Sequence, residues 1–296
     1  MPTIEIPVLL VGGGPVGLCA SILLSQHGVR TLLVERHAGT SIYPKTRLVN
    51  TRTMEVFRQC GLEQAVRERG LPADRARYAV WARTLREEEL QRRIIATATA
   101  GLSDAISPTS GCTISQEMLE PVLLAHARAS MQGEIRFDHE LLACSQDTSG
   151  VTATVFDRTS RETMQVHAQY LIGADGAHSR VREMLGIPMV GDSALAHRIT
   201  ILFRADLSRW VEGRSINLCF IQHPDARGAL AAIDGRERWS FQALYVPEAG
   251  QRAEDFTTER CIELIRAAVG VPDLPVEVLR VAPWSSSSRK VRAQTA

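Results

Sequence analysis

The stretch Val8-Leu-Leu-Val-Gly12-Gly13-Gly14-Pro15-Val-Gly17-Leu18, answered by Glu35 at the end of the next apolar run, constrains this chain more than any other feature. Ile6 to Val11 read as a buried strand and Gly12, Gly14 and Gly17 as a G-x-G-x-x-G turn. Leu18 to His27 read as an apolar-faced helix that Gly28 stops. In such a turn the first glycine permits the tight bend, the second lets backbone approach a pyrophosphate, and the third lets helix and strand pack closely. The helix N-terminus beyond it favours negative charge through its unpaired N–H groups and its dipole. Thr31 to Val34 form the second strand, and Glu35 follows where it can accept hydrogen bonds from an adenosine ribose. Strand, turn, helix, strand and terminal acid in that order imply a dinucleotide site.

A chain of 296 residues is long enough for two modest domains with adequate cores. Its 45% hydrophobic and 23% charged residues are those of an ordinary globular protein, and a net charge of +1 supplies no field for nucleic acid. The six cysteines (Cys19, Cys60, Cys112, Cys144, Cys219, Cys261) are scattered, with no C-x-x-C pair. The eight histidines show no ligand spacing either, so no metal site is expected. Scattered thiols suit a reducing cytosol, so a cytoplasmic location is expected. The start lacks a basic region ahead of its apolar run and no apolar stretch spans a bilayer, so neither a secretion signal nor a membrane partner is expected.

Beyond the opening unit, Ser41 to Asn50 reads as an irregular loop, Thr51 to Cys60 and Leu62 to Arg69 as helices, and Tyr78 to Arg83 and Arg93 to Thr97 as strands. The charged run Arg86 to Glu89 reads as a solvated turn. Apolar residues at helical spacing predict a long helix over Ser115 to Met131. Short strands follow at Ile135 to Asp138, Leu141 to Ser145, Val151 to Asp157 and Met164 to Ile172, then a short helix over His178 to Leu185. His197 to Val246 alternates like an antiparallel sheet, and Thr257 to Val269 is a helix leading to a last strand, Val276 to Val281. Phe203, Phe220, Trp239, Phe241 and Tyr245 could line a substrate pocket, although alternating aromatic residues are more often core.

Gly173-Ala174-Asp175-Gly176-Ala177-His178-Ser179-Arg180-Val181-Arg182 follows an apolar strand and enters a helix. A carboxylate on such a Gly-flanked turn offers two acceptors for vicinal hydroxyls. With Pro44 and Arg47, the helix Arg52-Thr-Met-Glu-Val-Phe-Arg58-Gln-Cys-Gly-Leu62, and Gln116 at the start of the long helix, it completes an ordered set. That set resembles the group A flavoprotein monooxygenases of the aromatic hydroxylase type, which share the p-hydroxybenzoate hydroxylase fold. The likeness runs from about residue 6 to about residue 284.

The resemblance implies an α/β fold. A Rossmann-like FAD-binding domain would be made of residues 1–75 and 103–186, a mostly antiparallel β substrate domain of 76–102 and 187–283, and 284–296 would be a truncated tail. Gly12, Gly14, Pro15, Gly17, Glu35 and Arg36 would hold the ADP half of FAD, Gln116 the ribityl or pyrophosphate region, and Asp175 with Gly176 a hydroxyl. Arg47 would lie beside the flavin and is the residue to which the resemblance gives a catalytic part. The implied activity is hydroxylation of a small phenolic or polyketide-like aromatic substrate with O2, with NAD(P)H docking transiently as reductant. Flavin would carry the chemistry, while the protein positions, gates and excludes water. A flavin-dependent reductase of the same fold and a non-catalytic FAD-binding remnant remain alternative readings, and a plain NAD dehydrogenase leaves Gly173 to Arg182 without a role. The family continues into a G-D-A-A-H segment that the sequence to Ala296 does not contain. A truncated or split form is therefore expected, holding flavin poorly and coupling hydroxylation badly, with a homodimer or a missing carboxy-terminal segment as candidate partners.

Overall fold

The structure, a computed structural model, describes residues 2–72, 74–95, 106–130 and 132–291. Strand β1 (Thr3–Val11) leads through the glycine turn into helix α1 (Pro15–Gln26) and strand β2 (Thr31–Val34). A two-residue strand β3 (Leu48–Val49) precedes α2 (Thr51–Gln59) and α3 (Glu63–Arg69). Strands β4 (Tyr78–Ala82) and β5 (Glu89–Ile94) come next, then β6 (Cys112–Thr113) and the long helix α4 (Gln116–Ser130). The chain continues through β7 (Glu134–Arg136), β8 (His139–Asp147), β9 (Gly150–Asp157), β10 (Thr163–Gly173) and α5 (Arg180–Met184). The last part holds β11 (Met189–Arg204), α6 (Ser208–Val211), β12 (Ile216–Ile221), β13 (Gly228–Ala232), β14 (Arg238–Tyr245), α7 (Thr258–Val269) and β15 (Glu277–Val291).

These strands form two large sheets. In the first, ordered β7-β2-β1-β10-β9-β8, strand β1 runs parallel to both neighbours, with Val8 to Val11 set against Thr31 to Val34 and Tyr170 to Gly173. A strand covered on both faces needs apolar residues at every position, which is why Val8-Leu-Leu-Val11 does not alternate. One face packs on α1, α2, α3 and α4 through Leu10, Leu18, Ile22, Met54, Phe57, Leu119 and Leu123. The other buries Leu9, Val11, Leu32, Val34, Val155, Val166 and Val181. Ligands of such sheets bind beyond the carboxyl ends of the parallel strands, and the glycine turn lies there.

The second sheet is ordered β15-β11-β14-β13-β12-β4-β5 and is antiparallel except where β12 runs parallel to β4. Helix α7 lies on its apolar side, contributing Cys261, Ile265, Ala268 and Val269 to a core with Phe203, Trp239 and Phe241. Thr257 caps the start of α7 and Gly270, at φ +84°, ends it in the left-handed conformation. A small ribbon pairs β3 with β6, and beyond it Ile114 N donates to Arg47 O and Gln116 N to Thr46 O. Those two bonds clamp the Thr46–Arg47 segment against the start of α4.

The α/β architecture with its second, mostly antiparallel sheet is therefore as expected, and several boundaries move. Helix α1 begins at Pro15, with Gly14 as its N-cap, three residues before the expected start. The Ser41 to Asn50 loop contains β3, and Glu89 opens β5 instead of closing a solvated turn. The final strand, expected to stop at Val281, continues to Val291 along β11, with Ser288 opposite Asp192 and Val291 opposite Met189. Residues 284–291 are therefore strand and not a tail. Pro283 is tolerated because β15 lies at the sheet edge, where a missing N–H need not cost a ladder bond. The expected strand end at Ala96 and Thr97, the helix end at Met131, and residues 292–296 lie outside the described residues.

Candidate cofactor site

The glycine turn and the Asp175 turn, far apart in sequence, meet at the ends of β1 and β10. Ala174 N donates to Val11 O at 2.8 Å, and a Cβ on Gly12 would lie 2.4 Å from Ala174 O and 2.8 Å from Asp175 N. Gly12 has φ +111°, so both its conformation and its surroundings exclude a side chain. Gly17 is equally confined, since its Cβ would stand 1.9 Å from Gly12 O.

Gly14 differs. Its φ of −77° suits any residue, and the nearest atom to a Cβ at this position would be Glu120 Oε1 at 4.0 Å. Neither the backbone nor the protein's own packing requires glycine here. What a side chain would obstruct is the space in front of the α1 N-terminus, where Pro15 fills the first helical position and the first turn of α1 itself carries no acidic residue and no side-chain cap. That is the arrangement of a helix end prepared for an anionic group from outside the chain.

Around this cradle lie the other expected residues. Glu35 follows β2; its Oε2 accepts from Gly13 N at 2.6 Å, and its Oε1 accepts from His37 N and also meets His37 Nδ1. The carboxylate is thus held at the turn with lone pairs left for hydroxyl donors. Asp175 accepts from Ser179 Oγ at 2.5 Å and from Val181 N at 3.2 Å, which fixes it against the start of α5, also with acceptor capacity remaining. Gly176 has φ +83°, and a Cβ there would meet nothing within 4 Å, so the turn conformation alone asks for glycine. Gln116 starts α4 and donates to Glu120 Oε1 at 2.6 Å. Arg36 is exposed and does not join the group; it helps Arg158 and Arg180 hold the Glu140 carboxyl below its usual range.

Arg47 reaches across to the second sheet. Its Nη2 donates to Asn217 O at 3.1 Å and to Asn217 Oδ1 at 2.5 Å, and burial lowers its pKa to about 10. Among the described residues no carboxylate forms an ion pair with it. A half-buried cation without an acid partner is costly and marks a place where an anionic or electron-rich ligand can be met.

Two residues of this region escaped the sequence reading. Glu120 is 3% exposed and accepts from Gln116 Nε2 and from Ser41 N at 2.5 Å, tying the Ser41 loop to α4 beside Gly14. Its signal is an acid on the apolar stripe of Met118, Leu119, Val122 and Leu123. Asn217 stands in the otherwise apolar run Ile216 to Ile221, where asparagine is disfavoured. Of the five aromatic candidates, Phe203, Trp239 and Phe241 are core residues. Phe220 is half-buried and stacks on Trp81 at 4.8 Å, and Tyr245 packs edge-on against Phe256. A cleft of about 610 Å³ is lined by Tyr170, Gly173, Gly176, Ala177, Ser179 and Arg182 among others, and neither Gly14 nor Arg47 lines it.

A family model described as an FAD binding domain matches residues 5–295. The chain belongs to this FAD-binding family. It is 44% identical over 289 residues to a Streptomyces halstedii protein named for polyketide hydroxylation, covering 97% of this chain and 52% of that one. Among solved structures, the flavin-dependent monooxygenase PieE in complex with FAD and substrate superposes with a TM-score of 0.92 at 34% identity, covering 100% of this chain and 52% of PieE. Aklavinone-11 hydroxylase in a ternary complex with FAD and aklavinone gives 0.89 at 34% identity, covering 100% and 56%. The chain spans about half the length of the relatives it matches. No helix among the described residues is long and apolar enough to cross a membrane.

Proposed function

We propose that this chain supplies the FAD-binding part, and one wall of the substrate site, of an aromatic monooxygenase that hydroxylates a phenolic or polyketide-like ring with NAD(P)H and O2. The observation that carries the reading is Gly14: a glycine that the protein's own atoms do not need, at a helix end without a side-chain cap, on the turn that Glu35 holds at Gly13 and that meets the Asp175 turn at Gly12. FAD fits this donor and acceptor set. Its pyrophosphate suits the N–H groups of α1, its ribose hydroxyls the free lone pairs of Glu35, and a further hydroxyl those of Asp175. Two relatives named for polyketide hydroxylation and for aklavinone-11 hydroxylation support the substrate class.

When bound, FAD supplies oxygen activation and hydroxyl transfer to an electron-rich ring. The residues of this chain bind and orient. Gly12 and Gly17 set the turn, Gly14 keeps it open, and Gln116 and Glu120 hold the Thr46–Arg47 and Ser41 segments against α4. Arg47 keeps a positive charge in a partly desolvated position, where it interacts more strongly with a ligand than it would in water. Half-buried Phe220, stacked on Trp81, offers an aromatic surface on the second sheet.

The test is the visible spectrum of the purified protein after desalting with added FAD, followed by NAD(P)H oxidation with a panel of phenols and polyketide-like aromatics. FAD binding that is weak enough to be partly lost on desalting is expected, with NAD(P)H oxidation that releases more peroxide than O2-dependent hydroxylated product. Flavin retained with an alkene reduced and no oxygen incorporated would replace the hydroxylase by a reductase. Absence of any FAD binding in a fluorescence titration would overturn the cofactor reading.

A further inference from the structure

Strand β12 carries an irregularity at the point where it approaches the first sheet's loops. Its pairing with β4 steps from Ile216 opposite Tyr78 to Leu218 opposite Ala79, so Asn217 is an extra residue in a β-bulge. Ser215, just before it, is held at φ +52°, a conformation uncommon for a residue with a side chain, and its backbone oxygen accepts from both Arg77 N and Tyr78 N. A bulge leaves one residue's backbone unpaired and re-aims its side chain. Here both results are used by one partner: the Asn217 backbone oxygen and its Oδ1 accept from Arg47 Nη2.

The amide has no freedom to turn over. Asn217 Nδ2 donates to Thr113 Oγ1 at 2.8 Å and to Ala76 O at 3.2 Å, so Oδ1 must face the guanidinium. Asn217 is 1% exposed, and it joins Thr113 of β6, Ala76 ahead of β4 and Arg47 into one buried network. Nη2 has both its hydrogens engaged by Asn217, whereas among the described residues Nε and Nη1 of Arg47 donate to no protein acceptor. The side chain is therefore anchored by one nitrogen with the others free for a ligand.

The choice of an amide also matters. A carboxylate at position 217 would bind the guanidinium more tightly and cancel its charge. Asparagine fixes the position and leaves the charge intact. We infer that Asn217 is a positioning residue that holds the Arg47 guanidinium toward the bound flavin without neutralising it, and so links the second sheet to the cofactor. This inference rests on the proposed FAD site, and its consequence is that a displacement of β12, such as a ring packing on the second sheet could cause, would be passed to the flavin side through a single side chain.

The experiment is a double-mutant cycle on FAD affinity, followed by flavin fluorescence in the 296-residue chain with Asn217→Ala, Arg47→Met and the pair. The expected result is that N217A weakens FAD about tenfold when Arg47 is present and less than about twofold when it is Met, the non-additivity of groups acting through each other. The visible circular dichroism of the bound flavin should change in N217A and should be the same in R47M and the double variant. Asn217→Asp should also weaken FAD, by trapping the cation, although it keeps the shape and an acceptor. Where N217A does not fold, Asn217→Ser, which retains the bulge carbonyl and a side-chain acceptor, carries the same cycle. Equal losses in both backgrounds, or full affinity in N217D, would overturn the positioning role while leaving the FAD site in place. An unaltered chain that binds no FAD would overturn both.

Discussion

Replacing Arg47 by Met should make the flavin-free protein no less stable while it damages flavin binding. Burial lowers the Arg47 pKa from the ordinary guanidinium value to about 10, with desolvation as the cause. At about 1.36 kcal/mol per unit, holding this cation in the folded state at neutral pH costs about 3 kcal/mol. The sign follows from proton binding. Above about pH 10, until the unfolded chain's own guanidinium titrates, the unfolded chain holds the proton that the folded chain has lost, so stability rises with pH across that window, and below it the cost is constant. Methionine removes the cost but leaves Asn217 O and Oδ1 without their donor, a loss of about 1–3 kcal/mol unless water replaces it. The net change is expected between zero and about 2 kcal/mol in favour of the variant. FAD affinity should instead fall by about 1.5–3 kcal/mol, the scale for a hydrogen bond to a charged group. Urea unfolding at pH 7 without flavin, with equal m-values, measures the first quantity, and fluorescence titration with FAD measures the second. A flavin-free R47M that loses more than about 2 kcal/mol would refute the reasoning, because the cation would then be a structural support and not a ligand-directed charge.

The glycines should separate in the same two assays. Gly14→Ala should fold with little change and lose FAD binding, whereas Gly17→Ala should fail to fold stably because its new carbon meets Gly12 O; a G14A protein with normal FAD affinity would remove the turn from the site. Glu35→Ala should weaken FAD by about 1.5–3 kcal/mol, and unchanged affinity in fluorescence titration would take the ribose away from Glu35. Burial pushes the thiols of Cys19 and Cys219 up to about 12 and that of Cys261 up to about 11. These three should resist a thiol reagent at pH 8 in the folded protein and react in urea, as mapped by mass spectrometry.

The parts of the molecule that sequence made legible are those whose signal is local. Strand β2 falls on Thr31–Val34 as expected, because a fully apolar run between Gly28 and Glu35 admits little else. The Gly173 to Arg182 turn was visible for the same reason, and its meeting with Gly12 followed only because one cofactor must be shared by both motifs. Strands at the sheet edges were less legible. Strand β5 reads Glu-Leu-Gln-Arg-Arg-Ile, charged as edge strands often are, and the Ser285 to Ser288 run of β15 has no apolar alternation at all. Those segments are strands because a neighbour supplies hydrogen bonds, and no window of their own sequence reports that neighbour. Asn217 and Glu120 were missed for a related reason. Each is a polar residue in an apolar stretch, and its role depends on a partner from another part of the chain.

The parallel pairing of β1 with β10 also sets an order of events in time. Its partners, such as Thr3 with Gln165 and Val11 with Gly173, stand about 160 residues apart. At about 5–20 residues per second of synthesis, β1 waits roughly 8–30 s before its second neighbour exists. During that interval Leu9 and Leu10, fully buried at the end, lack one side of their sheet, and Gly12 has no Ala174 turn to close against. The nascent protein therefore has a long window in which an apolar strand can be caught by a chaperone or by another chain. The Gly12–Asp175 junction cannot assemble before β10 leaves the ribosome, so flavin capture there would mark the completion of the first sheet.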